Sequence, residues 1–406
     1  MNSSPEQEPD QVHDWPNDQP GGLSAPSAPL DTNPESSPTY PADPWIGPSA
    51  TPPELPSFLQ IRQPPQQTRI PHLGHLLMLV PLLGIGFVFA VVFFSVGVHF
   101  HFFGVTSLQE AGTDIHFILL VEAVMYLFAF AGALLIFPAF WQKGLFAGLQ
   151  WRGAIAERKF WLLATVALGC FVLATLDELL LPGPANAPIE KMISTPGAAW
   201  LMFGFGITVA PFFEEMFFRG FLLPAMCTAS DWIAEKVNAD TPIALSPSGR
   251  PQWPVGADMI AAISLLSVPT TFFIAFYWKS GHFAIEILPP YAVALLVFFL
   301  VLAFRRTHLS DTARPVDANG HPIWSVSSMV TASIFTSLPF AGIHAQQQGR
   351  SLGPFLLLIV VSLVLCAVRL KTRSLASSVL VHATYNFMLF TLMLIGTGGF
   401  RHLDKM

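Results

Sequence analysis

The sequence predicts an all-α fold: a polytopic transmembrane helix bundle of about eight to nine spans, preceded by a disordered N-terminal tail. Three observations carry that reading. Of 406 residues, 52% are hydrophobic and 11% charged, whereas soluble domains carry roughly 25% charged residues. Mean hydropathy is +0.53. From His75 onward, apolar runs recur at lengths near the roughly 20 residues that a bilayer core requires. The formal net charge of −6 is uninformative by itself, and no basic patch points to nucleic acid.

Residues 1–70 are rich in Pro, Ser, Asp, Glu and Gln and poor in aliphatic residues. Such a segment cannot bury enough apolar surface to fold, so it reads as a disordered, Pro-rich acidic tail. It lacks a basic region followed by a short apolar one and is not a signal peptide.

Spans are expected near 75–98, 116–139, 160–181, 199–226, 258–278, 283–304, 325–346, 351–370 and 374–397. Arg62 and Arg69 precede the first. Lys143, Arg152, Arg158 and Lys159 separate the second and third. Arg305, Arg306 and Arg314 follow the sixth, and Arg369, Lys371 and Arg373 follow the eighth. With a cytoplasmic tail all four groups fall on the cytoplasmic side, as the positive-inside rule requires. The chain is therefore expected in the cell inner membrane. Cys170, Cys227 and Cys366 lie in or beside apolar runs without metal or redox spacing, so neither a disulfide framework nor a cysteine metal site is expected.

Region 227–324 differs from its surroundings. A stretch with Pro242, Pro247, Pro251 and Pro254 precedes two apolar runs separated by little more than Lys279-Ser-Gly-His282. It reads as an inserted helical hairpin within a membrane domain of residues 71–406, whose core is 160–226 and 325–395. The hairpin, 258–304, is expected at the periphery, with Glu286 and His282 away from the core's polar groups. Pro289 and Pro290 suggest that its second helix is kinked or starts late.

The polar centre is Pro211-Phe-Phe-Glu-Glu-Met-Phe-Phe-Arg219, within the apolar run 199–226. Three charges at a helix centre oppose insertion by on the order of 8 kcal/mol. Glu215 and Arg219 are four apart with the acid first, the favourable order for a same-face pair. Glu214 points about 100° away and has no local partner. An intramembrane carboxylate left over beside a neutralised pair is a functional-site candidate; the alternative is a charge cluster that ties helices together. Two other runs carry matching groups. Phe340-Ala-Gly-Ile-His344 follows Pro339, which is expected to kink its helix. His382-Ala-Thr-Tyr-Asn386 places His382 and Asn386 on one helical face. With straight helices His344 falls well outward of Glu214, a gap that a kink or tilt has to close.

Glu-Glu-x-x-x-Arg at 214–219, Phe-x-x-x-His at 340–344 and His-x-x-x-Asn at 382–386 together resemble the CPBP intramembrane endopeptidases, which include the CAAX prenyl proteases and bacteriocin-processing proteins. Arg369-Leu-Lys-Thr-Arg-Ser-Leu-Ala376 is similar to that family as well. The resemblance implies a protease acting on a membrane-associated or lipidated protein or peptide. It implies Glu214 as the group that activates water, His344 as its orienting partner, His382 and Asn386 as oxyanion stabilisers, and Glu215 and Arg219 as residues that shape the site. No cofactor is expected; the alternative is zinc held by Glu214, His344 and His382, a set suited to catalytic zinc. Two other classes remain open: a proton-coupled transporter relaying through Glu122, Glu214 and Glu215, and a non-catalytic scaffold. Glu122, Asp177 and Glu178 read as local hydrogen-bond partners or interfacial charges.

Overall fold

The computed structural model describes residues 71–403 except 182–187, 241–242, 278–280, 306–315, 318–320, 346 and 350. The expected tail, 1–70, falls outside the described residues, as do the side chains of His282 and Glu286.

Helices follow one another along the chain as α1 (Leu73–His99), α2 (Leu108–Ala111), α3 (Ile115–Trp141), α4 (Leu145–Gly148), α5 (Gly153–Arg158), α6 (Phe160–Leu180), α7 (Pro188–Met192), α8 (Pro196–Ile207) and α9 (Val209–Glu215). A π-helical turn, Met216–Leu222, leads into α10 (Leu223–Val237). After a two-stranded ribbon, β1 (Ala244–Leu245) and β2 (Pro251–Gln252), come α11 (Val255–Tyr277), α12 (Gly281–Phe304), α13 (Val326–Ala345), α14 (Leu352–Thr372) and α15 (Leu375–Gly396). Among the described residues eight helical stretches are long and apolar enough to cross a membrane, and Leu288–Phe304 of α12 is a shorter apolar helix. The chain is thus an all-α polytopic bundle. Helix α12 runs through Pro289 and Pro290, starting at Gly281.

Helix starts follow from local chemistry. The Asp114 side chain accepts from the amides of His116 and Phe117, at 2.9 and 3.2 Å, and so opens α3. Thr195 caps α8 with Pro196 at the first turn, where a missing N–H costs nothing. Arg373, with φ 50°, ends α14, and the Ser374 hydroxyl accepts from the Ser377 amide to open α15. Two residues therefore join α14 to α15, the helix that carries His382 and Asn386.

The stretch Pro196–Val237 spans 42 residues, about 63 Å of helix and twice a bilayer core. It is not uniform. At Thr208, φ −122° and ψ −69°, the backbone leaves helical geometry, and the π-turn begins at Met216. Pro224 explains that turn. Its ring would clash with the Gly220 carbonyl in a regular helix, and the Leu223 amide instead bonds Phe218 O, five residues back.

Two apolar clusters meet at this element. Phe218, Leu223 and Met226 pack with residues of α11 and α13. Met216 and Phe221 pack with Phe137, Trp141 and Leu149 from α3 and the segment after it. A third cluster joins α6, α14 and α15. Large apolar side chains elsewhere on α1, α3, α6 and α12 stay exposed, as suits lipid contact.

Helix α11 packs on α10 and α13, and α12 on α11 and α10. Asp231, fully buried, fastens this region: it accepts from Trp253 Nε1 at 2.8 Å, Ser328 Oγ at 2.7 Å and the Ser325 amide at 3.3 Å. Asp231→Ala strands three donors. It is expected to lower stability by about 3 kcal/mol or more, read as a fall in thermal unfolding temperature in detergent; an unchanged midpoint would show that the cluster is dispensable.

Candidate active site

Glu215 and Arg219 are both fully buried, and Arg219 Nη1 donates to Glu215 Oε1 at 2.8 Å. The pairing expected from spacing is present. Arg219 Nη2 donates to the Ser362 hydroxyl at 2.7 Å and its carbonyl at 3.2 Å, on α14. The guanidinium lies 4.5 Å from the centre of the Phe340 ring on α13, a cation–π contact. His382 Nδ1, on α15, lies 3.0 Å from the same Glu215 oxygen; a carboxylate can only accept, so Nδ1 carries the proton. Glu215 thereby fixes the His382 ring.

Glu214 takes no part in that pair. Its Oε1 lies 3.7 Å from His344 Nε2 and its Oε2 lies 3.9 Å from His382 Nε2. The carboxylate thus sits between two imidazoles, one facing each oxygen. His344 is fixed by the Phe340 carbonyl 2.8 Å from its Nδ1, which makes Nδ1 the donor and leaves Nε2 toward Glu214. The gap that straight helices would leave between His344 and Glu214 is closed. The break at Thr208 and the π-turn remove the straight-helix geometry on which it rests.

Asn386 occupies the expected helical face but has its own partner: Nδ2 donates to the Gly206 carbonyl at 2.7 Å. A Cβ on Gly206 would come within 2.8 Å of the Phe390 ring, so only glycine lets α8 approach α15 this closely. Five of the six site residues, Glu214, Glu215, Arg219, His344 and His382, are linked through direct contacts. Asn386 joins them through α15.

Arg369 was counted above among loop charges, and this is corrected: it is buried. Its Nε donates to Arg219 O at 3.2 Å, Nη1 to Gln150 Oε1 at 2.8 Å and Nη2 to Leu149 O at 3.2 Å. The π-turn creates the need. With the Leu223 amide on Phe218 O, the next amide that could serve Arg219 O would belong to Pro224, which has none. Arg369 satisfies that orphan carbonyl and pins the turn that carries Arg219. The signal in the sequence is Pro224 five residues after Arg219.

A cavity of about 220 Å³ opens onto Glu214. Its walls include Leu79, Leu83, Met125, Ala129, Phe217 and Tyr126, and none of its lining residues comes from 227–324. Glu122 accepts from Tyr126 Oη at 2.7 Å, the local partner expected for it. Asp177 and Glu178 lie at the end of α6, away from these contacts. Cys170, Cys227 and Cys366 are free and buried. Among the described residues no three His, Cys, Asp or Glu side chains are grouped so as to hold a metal ion. In the zinc set considered above, His344 Nε2 and His382 Nε2 face different oxygens of Glu214, and His382 Nδ1 is held by Glu215.

The two acids separate by stability. Glu215→Gln leaves Arg219 and His382 without their carboxylate in a fully buried cluster, and is expected to destabilise by about 3–5 kcal/mol. Glu214→Gln is expected to stay near the wild-type unfolding temperature. Equal losses in the two variants would contradict the assignment of Glu215 as the structural acid.

The family model described as type II CAAX prenyl endopeptidase, Rce1-like, matches residues 317–388. The matched stretch contains His344, His382 and Asn386, and the Glu-Glu-x-x-x-Arg helix precedes it. No curated protein and no solved structure matches the chain. Over residues 317–388 the chain is therefore similar to the CAAX prenyl endopeptidases, the family that the three motifs resemble.

Proposed function

We propose that the protein is an intramembrane endopeptidase that hydrolyses a peptide bond of a membrane-associated or lipidated protein, with Glu214 as general base. The observation that carries this reading is the division between adjacent acids. Glu215 is spent on Arg219 and His382, while Glu214 faces a cavity and two imidazoles.

Glu214 takes a proton from water as the water oxygen attacks the scissile carbonyl carbon. The carbonyl π electrons move onto oxygen and form a tetrahedral oxyanion. His382, carrying a proton on each ring nitrogen before the attack, donates to that oxyanion through Nε2 while Nδ1 stays on Glu215, and it keeps both protons throughout. Asn386 has a second amide hydrogen beyond the one on Gly206 O and adds to the same task. Such donors in a low-dielectric cavity supply a few kcal/mol. When the intermediate collapses, the C–N bond breaks and Glu214 returns its proton to the leaving amine. His344, held by Phe340 O, orients Glu214 throughout. Glu215, Arg219 and Arg369 act by positioning.

The cavity's apolar walls favour a substrate that brings an apolar side chain or a lipid-modified residue to Glu214. Prenylated CAAX proteins are the substrate class that the matching family's description names. We place the N-terminal tail and the basic loops on the cytoplasmic side of the cell inner membrane, and residues 1–70 outside the membrane domain.

Purified Glu214→Gln protein is expected to lose cleavage by roughly a hundredfold or more at near wild-type stability; a wild-type rate would overturn the assignment. Activity is also expected to survive exhaustive chelation. Stoichiometric zinc in active protein, with activity lost on chelation and restored by zinc, would replace the glutamate mechanism with a metalloprotease one.

A further inference from the structure

A peptide that enters the cavity brings backbone N–H groups with it, and each one left unpaired in an apolar site costs free energy. Hydrogen-bond acceptors are scarce on this lining. Leu79, Leu83, Met125, Ala129, Ala133, Phe217 and Ile343 offer no side-chain oxygen. The two polar side chains that line it are Glu214 and Tyr126. Glu214 is assigned to water.

Tyr126 is built to accept rather than donate. Its hydroxyl hydrogen is directed to Glu122 Oε1 at 2.7 Å, one turn back on α3, so the oxygen's remaining lone pairs are free. Its ring stacks on Phe213, the residue before Glu214, with centroids 4.9 Å apart and planes at 22°. Tyr126 thereby lines the same cavity as the proposed base and is held against the residue next to it. A carboxyl in the middle of a membrane span needs a reason to be there, and holding the Tyr126 hydroxyl is one.

We infer that Tyr126, oriented by Glu122, is a substrate-positioning residue whose hydroxyl oxygen accepts a backbone N–H of the substrate beside the scissile bond. This rests on the peptidase reading. Tyr126 contacts the substrate, and Glu122 acts through Tyr126. Neither removes the proton from water, and no covalent step is assigned to them.

The test pairs a backbone change in the substrate with a side-chain change in the full-length protein. The probes are a quenched fluorescent farnesylated CAAX peptide and its depsipeptide analogues, in which an ester oxygen replaces the N–H of the bond on either side of the scissile one. Tyr126→Phe is expected to lower kcat/KM for the peptide roughly tenfold, mainly through KM. For one of the two depsipeptides, which lacks the N–H in question, wild type and Tyr126→Phe are expected to be equal. Glu122→Gln keeps an oxygen for the Tyr126 hydroxyl and should stay near wild type, whereas Glu122→Leu should fall to the level of Tyr126→Phe. A tenfold loss that is the same on the peptide and on both depsipeptides would overturn the inference, because a merely structural defect ignores the substrate backbone. So would wild-type efficiency of Tyr126→Phe on the peptide. If wild-type protein cleaves none of these probes, or Glu214→Gln cleaves them as well as wild type, the peptidase reading fails first and this inference falls with it.

Discussion

A fully buried carboxylate–guanidinium pair, Glu215 with Arg219, is the interaction on which the rest of this molecule depends. Removing two such groups from water costs several kcal/mol each, and their mutual attraction recovers this only where further hydrogen bonds complete the shell. The fold provides several of them from three helices, although Glu215 Oε2 and Arg219 Nε stay without a hydrogen-bond partner. Ser362 of α14 takes the second guanidinium nitrogen, His382 of α15 takes the carboxylate, and the Phe340 ring of α13 covers the cation. The same contacts that neutralise the pair bring together the helices that carry His344, His382 and Asn386. Stability and the proposed chemistry therefore share one cluster, with Glu214 excluded from it by one residue of helical rotation.

The pair is placed by a local irregularity. Pro224 forbids a regular turn above Gly220, the chain widens into a π-turn, and one carbonyl is stranded at Arg219. Arg369 fills that vacancy from the end of α14 and reaches on to Leu149 and Gln150. Such turns recur at functional sites because they re-aim side chains without ending the helix. Here Arg219 is carried on the π-turn itself and Glu215 is the last residue before it.

Much of this was legible in the sequence, for physical reasons that differ residue by residue. The Glu215–Arg219 pair was readable because a four-residue spacing on one helix is a local contact. The odd placement of Glu214 followed from the same geometry. The eight long spans followed from composition alone. How His344 comes level with Glu214 was not legible, because straight-helix reasoning cannot see the break at Thr208 or the π-turn. Arg369 was misread because counting cations near helix ends treats each as exposed, and only the missing N–H of Pro224 hints otherwise. The partner of Asn386, Gly206, was hidden for another reason. It depends on how closely α8 approaches α15, a tertiary fact marked only by a glycine. The stacking of Tyr126 on Phe213, which puts it on the same cavity as Glu214, was likewise a matter of tertiary packing.

The central claim is that Glu214, freed by Glu215 from any structural duty, activates a water molecule rather than attacking the substrate itself. Single-turnover cleavage in ¹⁸O-labelled water, with enzyme in excess over a farnesylated CAAX peptide, tests it most directly. The account predicts one ¹⁸O atom in the new C-terminal carboxylate of the product in the first turnover and none in Glu214. An unlabelled product in that turnover, with the label appearing in Glu214 after the intermediate is hydrolysed, would contradict it.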